Sequence, residues 1–464
     1  MTTRDDRRAT HALPAMRGPG PTIQQLLDQE RGPVPPALRD TSAIDLGTEV
    51  LAKERYYDPE FARQEFDHMW SRVWQMACRE EDIPEVGDHY VYEIGKKSVL
   101  VVRPAENEIK AFHNVCLHRG RILKDCSGSA QFIRCPFHGF TWDLDGSCQQ
   151  VTNEWDFPHV NKDEFKLPSV HVGRWGGFIF VNLAERPESF ESYMEDLPEI
   201  FGTRGWDLSD RVKVVHVLKR NRCNWKVALE AFTESMHSAA THPGAMPWLG
   251  EAFSQYDVWP DKRHYSRMIS PRGVASPHLG RQLTEEEVYQ AGVAGWHLSE
   301  EEQTLPDGLT ARQAMADVKR RILKEEHGVD VPDMTDCEAV DTIHYHIFPN
   351  LVCWTAWGSF LVYRFRPNGT DPTTSIMEIY MLMPRATGQT PVPTPTELDY
   401  DDSHHLAPEL AAFSDVFDED LSNMPYVQRG LEAMEGPGIT VSRYHEMRLR
   451  FFHKRLDDYL DGRS

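Results

Sequence analysis

Two short segments of the chain each carry one cysteine and one histidine. They are NVCLHRG at 114–120 and CPFHG at 135–139, and a glycine ends each of them. Gly120 and Gly139 allow the backbone to come close to a metal cluster and to point N–H groups at its sulfur atoms. The strand-like pattern of residues 87–183 predicts a small all-β scaffold that presents the two loops side by side. No other feature of the sequence constrains the fold as strongly.

The side chains of Cys116, His118, Cys135 and His138 permit two metal interpretations. A structural zinc site could use them, but zinc fingers usually pair Cys with Cys and His with His. One Cys and one His from each segment instead suit a [2Fe–2S] cluster, with two thiolates on one iron and two imidazoles on the other. A coincidental set of core or surface residues would require the spacing and both glycines to be accidental.

A second group of candidate metal ligands lies in the middle of the chain. Residues 224–237 have helical character, and Glu230, Glu234 and His237 are spaced to share one helix face. His242 precedes Pro243, where a helix is expected to end. Two His and one carboxylate are the ligands of non-haem Fe(II) oxygenases. Taken alone, however, such a His pair is often a helix cap and a surface residue.

Both segments resemble one known family. The runs NVCLHRG and CPFHGFTWDLDG resemble the Rieske centre of ring-hydroxylating oxygenase large (alpha) subunits, and residues 224–242 resemble the NWK…E…E…H-x₄-H pattern of the same subunits. The resemblance covers nearly all of the chain after residue 45. It implies that Cys116 and Cys135 bind one iron and that His118 and His138 bind the other. Phe140 stands where many relatives have Trp.

The resemblance also implies the ligands of a mononuclear Fe²⁺, namely His237, His242 and Asp420. Asp420 precedes the run VQRGL at 427–431, as the acidic ligand does in the family. The alternative is that Asp418, Glu419 and Asp420 form a solvated acidic cluster at a helix start, with Asp418 as the other candidate ligand.

Glu234 takes the position of the family's bridging carboxylate, where relatives carry Asp or Glu. Such a residue can accept a hydrogen bond from a metal-bound imidazole and fix its orientation. The resemblance implies a catalytic role in which Glu234 links His237 to His138 of a neighbouring subunit, and therefore a homotrimer, with or without a small beta subunit. Ala231 and Met236 replace residues that are common in relatives, so the polarity of the pocket does not follow from the family.

These patterns predict an α+β protein in three parts. Residues 1–45 are expected to be a flexible, proline-rich arm, and residues 46–185 a small all-β Rieske [2Fe–2S] domain with an N-terminal helix. Residues 186–464 are expected to form a larger, helix-grip-like catalytic domain with an antiparallel sheet flanked by helices. Residues 361–366 alternate apolar and Arg side chains, which predicts a strand with one buried face. The acidic stretch 284–336 predicts helices at the surface.

Composition excludes several classes of function. The chain has 50 Lys+Arg against 72 Asp+Glu, a net charge of −22, which argues against binding to nucleic acid or to an anionic membrane surface. No apolar stretch reaches the roughly 20 residues of a membrane-spanning helix, and the first residues do not resemble a secretory signal. Eight cysteines in 464 residues are too few for a disulfide scaffold, which indicates a reducing, cytoplasmic environment.

The sequence therefore predicts the terminal oxygenase of a multicomponent Rieske oxygenase, with a Rieske-type [2Fe–2S] cluster and a mononuclear Fe²⁺. Its other reactants would be O₂ and electrons from an NAD(P)H-dependent reductase, directly or through a ferredoxin. Plentiful aromatic residues in the catalytic half favour hydroxylation or dihydroxylation of an aromatic or polycyclic hydrophobic compound. The alternative is oxidative demethylation or hydroxylation of a smaller polar substrate. An electron-transfer protein and a zinc-stabilised binding protein are hypotheses from other classes.

Overall fold

The structure is a computed structural model that describes residues 20–202, 205–384 and 392–463. The described helices are α1 (Ile23–Leu27), α2 (Pro36–Arg39), α3 (Pro59–Gln64), α4 (Phe190–Met194), α5 (Leu197–Phe201), α6 (Trp225–Ala231), α7 (Ser238–Thr241), α8 (Glu285–Val293), α9 (Ala311–His327), α10 (Asp336–Val340), α11 (Phe413–Ala433) and α12 (Met447–Leu460). Within the described ranges, no helix combines the length and the apolar character that crossing a bilayer requires.

The first half of the chain folds into two antiparallel sheets. The strands are β1 (Leu51–Ala52), β2 (Gln75–Arg79), β3 (Asp88–Ile94), β4 (Lys97–Ala105), β5 (Glu108–His113), β6 (Gly128–Ser129), β7 (Ile133–Arg134), β8 (Thr141–Trp142), β9 (Cys148–Gln150), β10 (Ser169–Trp175) and β11 (Phe178–Asn182). One sheet has the order β2-β11-β10-β5-β4-β3-β6 and the other β7-β8-β9. The β3–β4 hairpin turns at Gly95, whose φ of 56° suits a residue without a Cβ.

The second half is built on one large sheet. Its strands are β12 (Arg211–Asn221), β13 (Gln255–Asp257), β14 (Tyr265–Ser270), β15 (Thr342–Ile347), β16 (Leu351–Trp354), β17 (Leu361–Asn368), β18 (Asp371–Pro384) and β19 (Thr396–Leu398), and β20 (Gly438–Ile439) pairs with β1 instead. The order is β13-β14-β15-β16-β17-β18-β12-β19, antiparallel except at β12–β19. Phe452 of α12 packs against Trp225 and Phe348. The predicted α+β class, an all-β domain followed by a helix-flanked antiparallel sheet, is confirmed.

Strand β17 does not have the solvent-facing side that its alternating arginines predicted. Arg364 is only 1% exposed, because β2 of the first domain covers that side of the sheet. Its guanidinium donates to the carbonyls of Met76 and Ala77, at 2.7 Å each, and forms an ion pair with Glu378 of β18 at 2.5 Å. The two domains are therefore joined through a buried charge cluster, which no local pattern in β17 indicates.

The expectation of a flexible arm over residues 1–45 is wrong for its described part, residues 20–45. The apolar side chains of Ile23, Leu26 and Leu27 are buried in the main core. Arg31 forms an ion pair with Asp336 of α10 at 2.7 Å. The prolines limit helices α1 and α2 to about one turn each. The segment nevertheless has enough apolar side chains to pack against the second domain. Residues 1–19 lie outside the described part of the chain.

The acidic stretch 284–336 contains helices α8 and α9, as predicted, but these helices are not purely superficial. Their inner faces form a separate apolar cluster that includes Tyr289, Met315 and Leu323. Trp357 and Phe360, from the segment between β16 and β17, belong to the same cluster. The two helices therefore cover one end of the large sheet.

Candidate metal centres

The two Cys/His loops have the same backbone architecture. The Cys116 N–H donates to Arg121 O at 2.8 Å, and the Gly120 N–H donates back to Cys116 O at 3.0 Å. In the second loop, the N–H groups of Cys135 and Gly139 make the corresponding bonds, at 2.8 and 3.0 Å. Gly120 and Gly139 have φ values of 73° and 78°, which few residues with a Cβ adopt. This explains why both segments end in glycine.

The loops bring the four predicted cluster ligands together. The thiols of Cys116 and Cys135 are buried and within hydrogen-bonding reach of each other. The ring centroids of His118 and His138 are 4.6 Å apart. His118 Nδ1 is buried without a hydrogen-bond partner among the described residues, which leaves it free to bind a metal. Phe140, in place of Trp, stacks on His118 at 4.6 Å. Two thiols and two imidazoles facing one another fit a Rieske-type [2Fe–2S] cluster.

The second group is positioned by two short helices rather than one. We expected Glu230, Glu234 and His237 on one helical face, but α6 ends at Ala231. The Thr233 hydroxyl donates to Glu230 O at 2.9 Å, and the Ser235 N–H donates to the hydroxyl of the buried Tyr256. These side-chain bonds replace the helical hydrogen bonds and turn the chain.

The break in the helix separates Glu230 from the metal site. Its carboxylate instead accepts hydrogen bonds from Tyr56 Oη at 3.0 Å and His453 Nε2 at 2.8 Å. His237 and His242 flank the short helix α7, one at each end. The predicted end of a helix before Pro243 is thus confirmed.

Asp420 of helix α11 completes the second group. One ligand atom each from His237, His242 and Asp420 lie within 4.8 Å of one another. Asp420 Oδ1 is 2.9 Å from His242 Nε2 and 3.5 Å from His237 Nε2. Asp418, the other candidate, points away and accepts hydrogen bonds from the backbone N–H of His404 at 3.0 Å and the hydroxyl of Ser403 at 2.5 Å.

Each imidazole of this triad is held by a carboxylate on its far nitrogen. Glu234 Oε1 accepts from His237 Nδ1 at 2.7 Å, and its other oxygen accepts from the His237 backbone N–H at 3.1 Å. Glu419 Oε2 accepts from His242 Nδ1 at 2.6 Å. Both Nε2 atoms are thereby directed at the metal position. Sequence reasoning missed Glu419, although its position next to Asp420 was a usable signal.

The surroundings of His237 and His242 favour the positively charged form of both imidazoles. Burial lowers the pKa of His237 and His242, but the neighbouring carboxylates outweigh burial and raise both pKa values above the ordinary value of 6.5. Among the carboxylates, Glu234 raises the pKa of His237 the most, and Asp420 raises the pKa of His242 the most. The ligand set and this electrostatic preference both fit a divalent cation such as Fe²⁺.

Three aromatic side chains pack against one another in the core beside helix α11, which carries Asp420. Phe232 packs against Tyr363 at 5.1 Å and Phe417 at 6.2 Å, and Tyr363 packs against Phe417 at 5.9 Å between ring centroids. We call Phe232, Tyr363 and Phe417 the aromatic wall. Of the aromatic residues that suggested a hydrophobic substrate, Phe232 belongs to this wall, whereas Tyr256 and Trp259 pack elsewhere in the core.

We expect Glu234→Gln to lower turnover by about 10- to 100-fold while both metal centres stay loaded. The amide removes the negative charge that holds His237. Metal analysis and the visible spectrum of the cluster report loading, and single-turnover kinetics report the loss. Glu234→Asp keeps the carboxylate and should retain most activity. Wild-type turnover in Glu234→Gln would contradict the assigned role.

We expect Glu419→Gln to weaken iron binding at the triad by about 10-fold, because His242 loses its charged partner. Iron content after dialysis against a graded chelator measures the effect. Asp415→Asn is the control, since Asp415 lies on the same helix and its exposed carboxylate pairs with the exposed His405. Equal iron retention in the two variants would show that Glu419 does not support the site.

Two thiols and two imidazoles in one domain, and two imidazoles and a carboxylate in the other, define a protein with two distinct iron centres. Residues 208–462 match the family described as "Ring hydroxylating alpha subunit (catalytic domain)", and residues 73–161 match the "Rieske [2Fe-2S] domain". The chain belongs to this family of Rieske oxygenase alpha subunits. The expected cofactors, a Rieske [2Fe–2S] cluster and a mononuclear iron, are confirmed at the level of the family.

Individual relatives match over part or most of the chain. The glycine betaine monooxygenase oxygenase subunit of Pseudomonas aeruginosa is 31% identical over 202 residues, which are 43% of this chain and 46% of that protein. The chain thus spans about half the length of the curated relatives it matches.

Two solved structures are similar in fold to a larger share of this chain. A quaternary ammonium Rieske monooxygenase has a TM-score of 0.63 at 17% identity and covers 88% of this chain and 95% of its own. A naphthalene 1,2-dioxygenase variant bound to phenanthrene has a TM-score of 0.61 at 19% identity, covering 90% and 93%. At these identities, the two similarities establish the fold alone.

Proposed function

We propose that the chain is the terminal oxygenase of a Rieske monooxygenase that acts on a small quaternary ammonium compound. The observation that carries the oxygenase activity is the convergence of His237, His242 and Asp420 on one point. The substrate class is supported by relatives named for glycine betaine and for quaternary ammonium compounds. The smaller polar substrate, our alternative expectation, is thus better supported than the aromatic or polycyclic hydrocarbon.

The reaction is a monooxygenation. The bound iron–sulfur cluster would supply electrons one at a time, and the mononuclear iron would supply the chemistry of O₂ activation. One oxygen atom enters a C–H bond of the substrate, and the other leaves as water with two protons and two electrons from NAD(P)H. A hydroxyl group placed on a carbon next to nitrogen leads to cleavage into an aldehyde and an amine. His237, His242 and Asp420 would hold the metal, and Glu234 and Glu419 would fix the two imidazoles.

The aromatic wall suits a quaternary ammonium group. Ammonium groups without N–H donors are recognised through the faces of aromatic rings, worth about 0.5–2 kcal/mol per contact. Phe232, Tyr363 and Phe417 provide three aromatic rings next to helix α11, and Asp420, which raises the pKa of Tyr363, adds a negative charge near them. A methylated ammonium group held there would lie close to the metal.

Electrons would arrive from a separate reductase, directly or through a ferredoxin, and would cross between subunits of a homotrimer. Glu234, beside a cavity of about 250 Å³, would link His237 to His138 of the partner subunit. Exposed apolar residues on both sides support the interface: Tyr426 near that cavity is 70% exposed, and Phe137 next to His138 is 56% exposed. Mass photometry of the purified protein should therefore find assemblies of three chains.

The activity is tested with the holoenzyme, a compatible reductase, NADH and O₂. Glycine betaine, carnitine, choline and naphthalene are offered separately, O₂ uptake is recorded, and products are identified by mass spectrometry. We expect O₂ uptake that depends on a quaternary ammonium substrate and yields an aldehyde and an amine. A dihydrodiol from naphthalene as the preferred product would overturn the proposed substrate class. A colourless protein that contains zinc and no acid-labile sulfide would overturn the oxygenase activity.

A further inference from the structure

Glu234, which holds His237, lies in a segment without regular secondary structure. Residues 232–237 connect α6 to α7, and Glu234 belongs to neither a helix nor a strand. Its buried carboxylate nevertheless meets His237 Nδ1 at 2.7 Å. Because peptide units are planar, the direction of a side chain is set by the two units on either side of its Cα atom. Contacts from outside the segment must therefore hold these two units.

Arg448 of helix α12 holds the peptide unit before Glu234. Its Nη1 donates to the carbonyl oxygen of Thr233 at 2.9 Å, and its Nε donates to the hydroxyl of Ser266 at 3.0 Å. The Thr233 carbonyl and the Glu234 N–H belong to one planar unit, so this hydrogen bond restrains Glu234 as well. At 1% exposure, Arg448 is shielded from water that would compete for these partners.

Packing alone does not explain an arginine at position 448. Within the described ranges, the hydrogen-bond partners of its guanidinium are carbonyls, a hydroxyl and the imidazole of His344, and none is a carboxylate. Burial lowers the pKa of Arg448 to about 9, which leaves it charged at neutral pH. Asp257, which opposes this effect, is already paired with Arg267 at 2.7 Å. An apolar side chain would avoid the cost of burying this charge but would not hold Thr233.

Tyr256 of strand β13 holds the peptide unit after Glu234. Its Oη accepts a hydrogen bond from the Ser235 N–H at 3.1 Å and lies 3.0 Å from Ser235 Oγ. Ser235 Oγ is in turn 2.7 Å from Ser254 Oγ. Tyr256 is fully buried, and burial together with the charge of Glu234 raises its pKa, so the hydroxyl stays protonated. Both peptide units that flank Glu234 are thus bound by buried side chains from distant elements.

We propose that Arg448 and Tyr256 are positioning residues that fix Glu234 against His237. This inference rests on the proposed function, in which Glu234 links His237 to His138 of the partner subunit. The two side chains hold the backbone of Glu234 in one conformation, so its carboxylate is directed into the cavity of about 250 Å³ that Glu234 and His237 both line. Without them, the carboxylate would have to be ordered anew for each electron that crosses.

Hydrogen exchange tests the positioning without any turnover. In the oxidised holoenzyme, followed by mass spectrometry, the amides of residues 232–237 should exchange about 10-fold faster in Arg448→Met and in Tyr256→Phe, as expected for the loss of one buried hydrogen bond. Metal content, the visible spectrum of the cluster and the melting temperature verify that each variant is folded and loaded. Tyr256→Phe removes a single oxygen atom and keeps the test valid if Arg448→Met does not fold.

Two matched controls separate positioning from general loosening. Arg450→Met removes another buried arginine of α12, whose guanidinium donates to the carbonyl of Glu49 at 2.8 Å. Tyr265→Phe removes the hydroxyl of another buried tyrosine, which donates to Asp196 at 2.7 Å. We expect both controls to exchange at the wild-type rate in residues 232–237.

Single-turnover kinetics show whether the two residues act through Glu234. The holoenzyme with a reduced cluster is mixed with O₂ and glycine betaine, and oxidation of the cluster is followed by its absorbance. Arg448→Met and Tyr256→Phe should each slow this step about 10-fold. Arg448→Lys should lose less, because lysine keeps the charge and a donor. In a Glu234→Gln background neither substitution should slow it further, since residues that act through one group are not additive.

The possible results differ for the two proposals. Wild-type exchange of residues 232–237 in Arg448→Met and Tyr256→Phe overturns the positioning role, as does equally fast exchange in the two controls. A further 10-fold slowing of Glu234→Gln by Arg448→Met also overturns it, because Arg448 would then act elsewhere. Faster exchange in both variants, together with a wild-type rate in Glu234→Gln, supports the anchoring of the segment and overturns the electron link through Glu234.

Discussion

Replacement of Asp420 by Ala is expected to empty the mononuclear iron site and abolish turnover, while the visible spectrum of the [2Fe–2S] cluster is unchanged. Asp420 is the sole carboxylate in the described triad with His237 and His242. Two neutral imidazoles alone hold Fe²⁺ poorly, because the carboxylate supplies the negative charge and a hard oxygen ligand. Metal analysis, normalised to acid-labile sulfide, measures the loss separately from the cluster iron.

Asp418→Ala provides the matched control on the same helix. Asp418 contacts Ser403 and His404, and its side chain is 33% exposed, whereas that of Asp420 is 4% exposed. We expect Asp418→Ala to keep the mononuclear iron. Iron retained in Asp420→Ala and lost in Asp418→Ala would show that the ligand is misassigned.

Replacement of Glu378 by Ala is expected to destabilise the protein by about 3–5 kcal/mol, the usual cost of leaving a buried charge unpaired. Glu378 is 1% exposed and pairs with Arg364 at 2.5 Å and with Arg366 at 2.9 Å. Burial raises the pKa of Glu378, but the two arginines outweigh it and hold the pKa well below its usual range. Because Arg364 also binds carbonyls of β2, the contact between the domains should weaken as well.

Denaturant unfolding, followed by tryptophan fluorescence and by cluster absorbance, measures this loss. Glu397→Ala is the control, since Glu397 forms an exposed ion pair with Arg220 at 3.2 Å on the neighbouring strands. Exposed pairs contribute about 0–1 kcal/mol. A loss in Glu378→Ala no larger than that in Glu397→Ala would mean that the cluster does not join the domains.

Features that depend on neighbouring residues were predicted well. The two Cys/His loops, the β3–β4 hairpin and the helix beginning at Pro59 each depend on a few adjacent residues. Asp58, for example, caps that helix by accepting from the Glu60 N–H at 2.9 Å. Glu234 and His237 are only three residues apart, so their contact also follows from local spacing.

The helix over residues 224–237 was predicted too long because its end depends on distant residues. Helical spacing continues past Ala231, but Tyr256, from another strand, accepts the backbone N–H of Ser235. A side chain that arrives from elsewhere in the fold can replace a helical hydrogen bond, and a helical pattern cannot indicate this.

Helical periodicity in the sequence favours Asp420 over Asp418 as the candidate ligand. Phe417, Met424 and Leu431 recur every seven residues on the buried face of α11, and Asp420 falls on the same face. A carboxylate on an apolar face without a nearby cation in sequence is itself a sign of a metal or an ion pair.

The sequence by itself determined the class of protein, because each metal-binding loop is a short segment whose residue types and glycines specify both its backbone and its chemistry. Only the tertiary structure decided that Arg364 is buried and that residues 20–45 are packed. The physical reason is that pairing of buried charges depends on which distant segments pack together. Arg364, for example, lies on β17, its partner Glu378 lies on β18, and the carbonyls that it binds belong to β2 of the first domain.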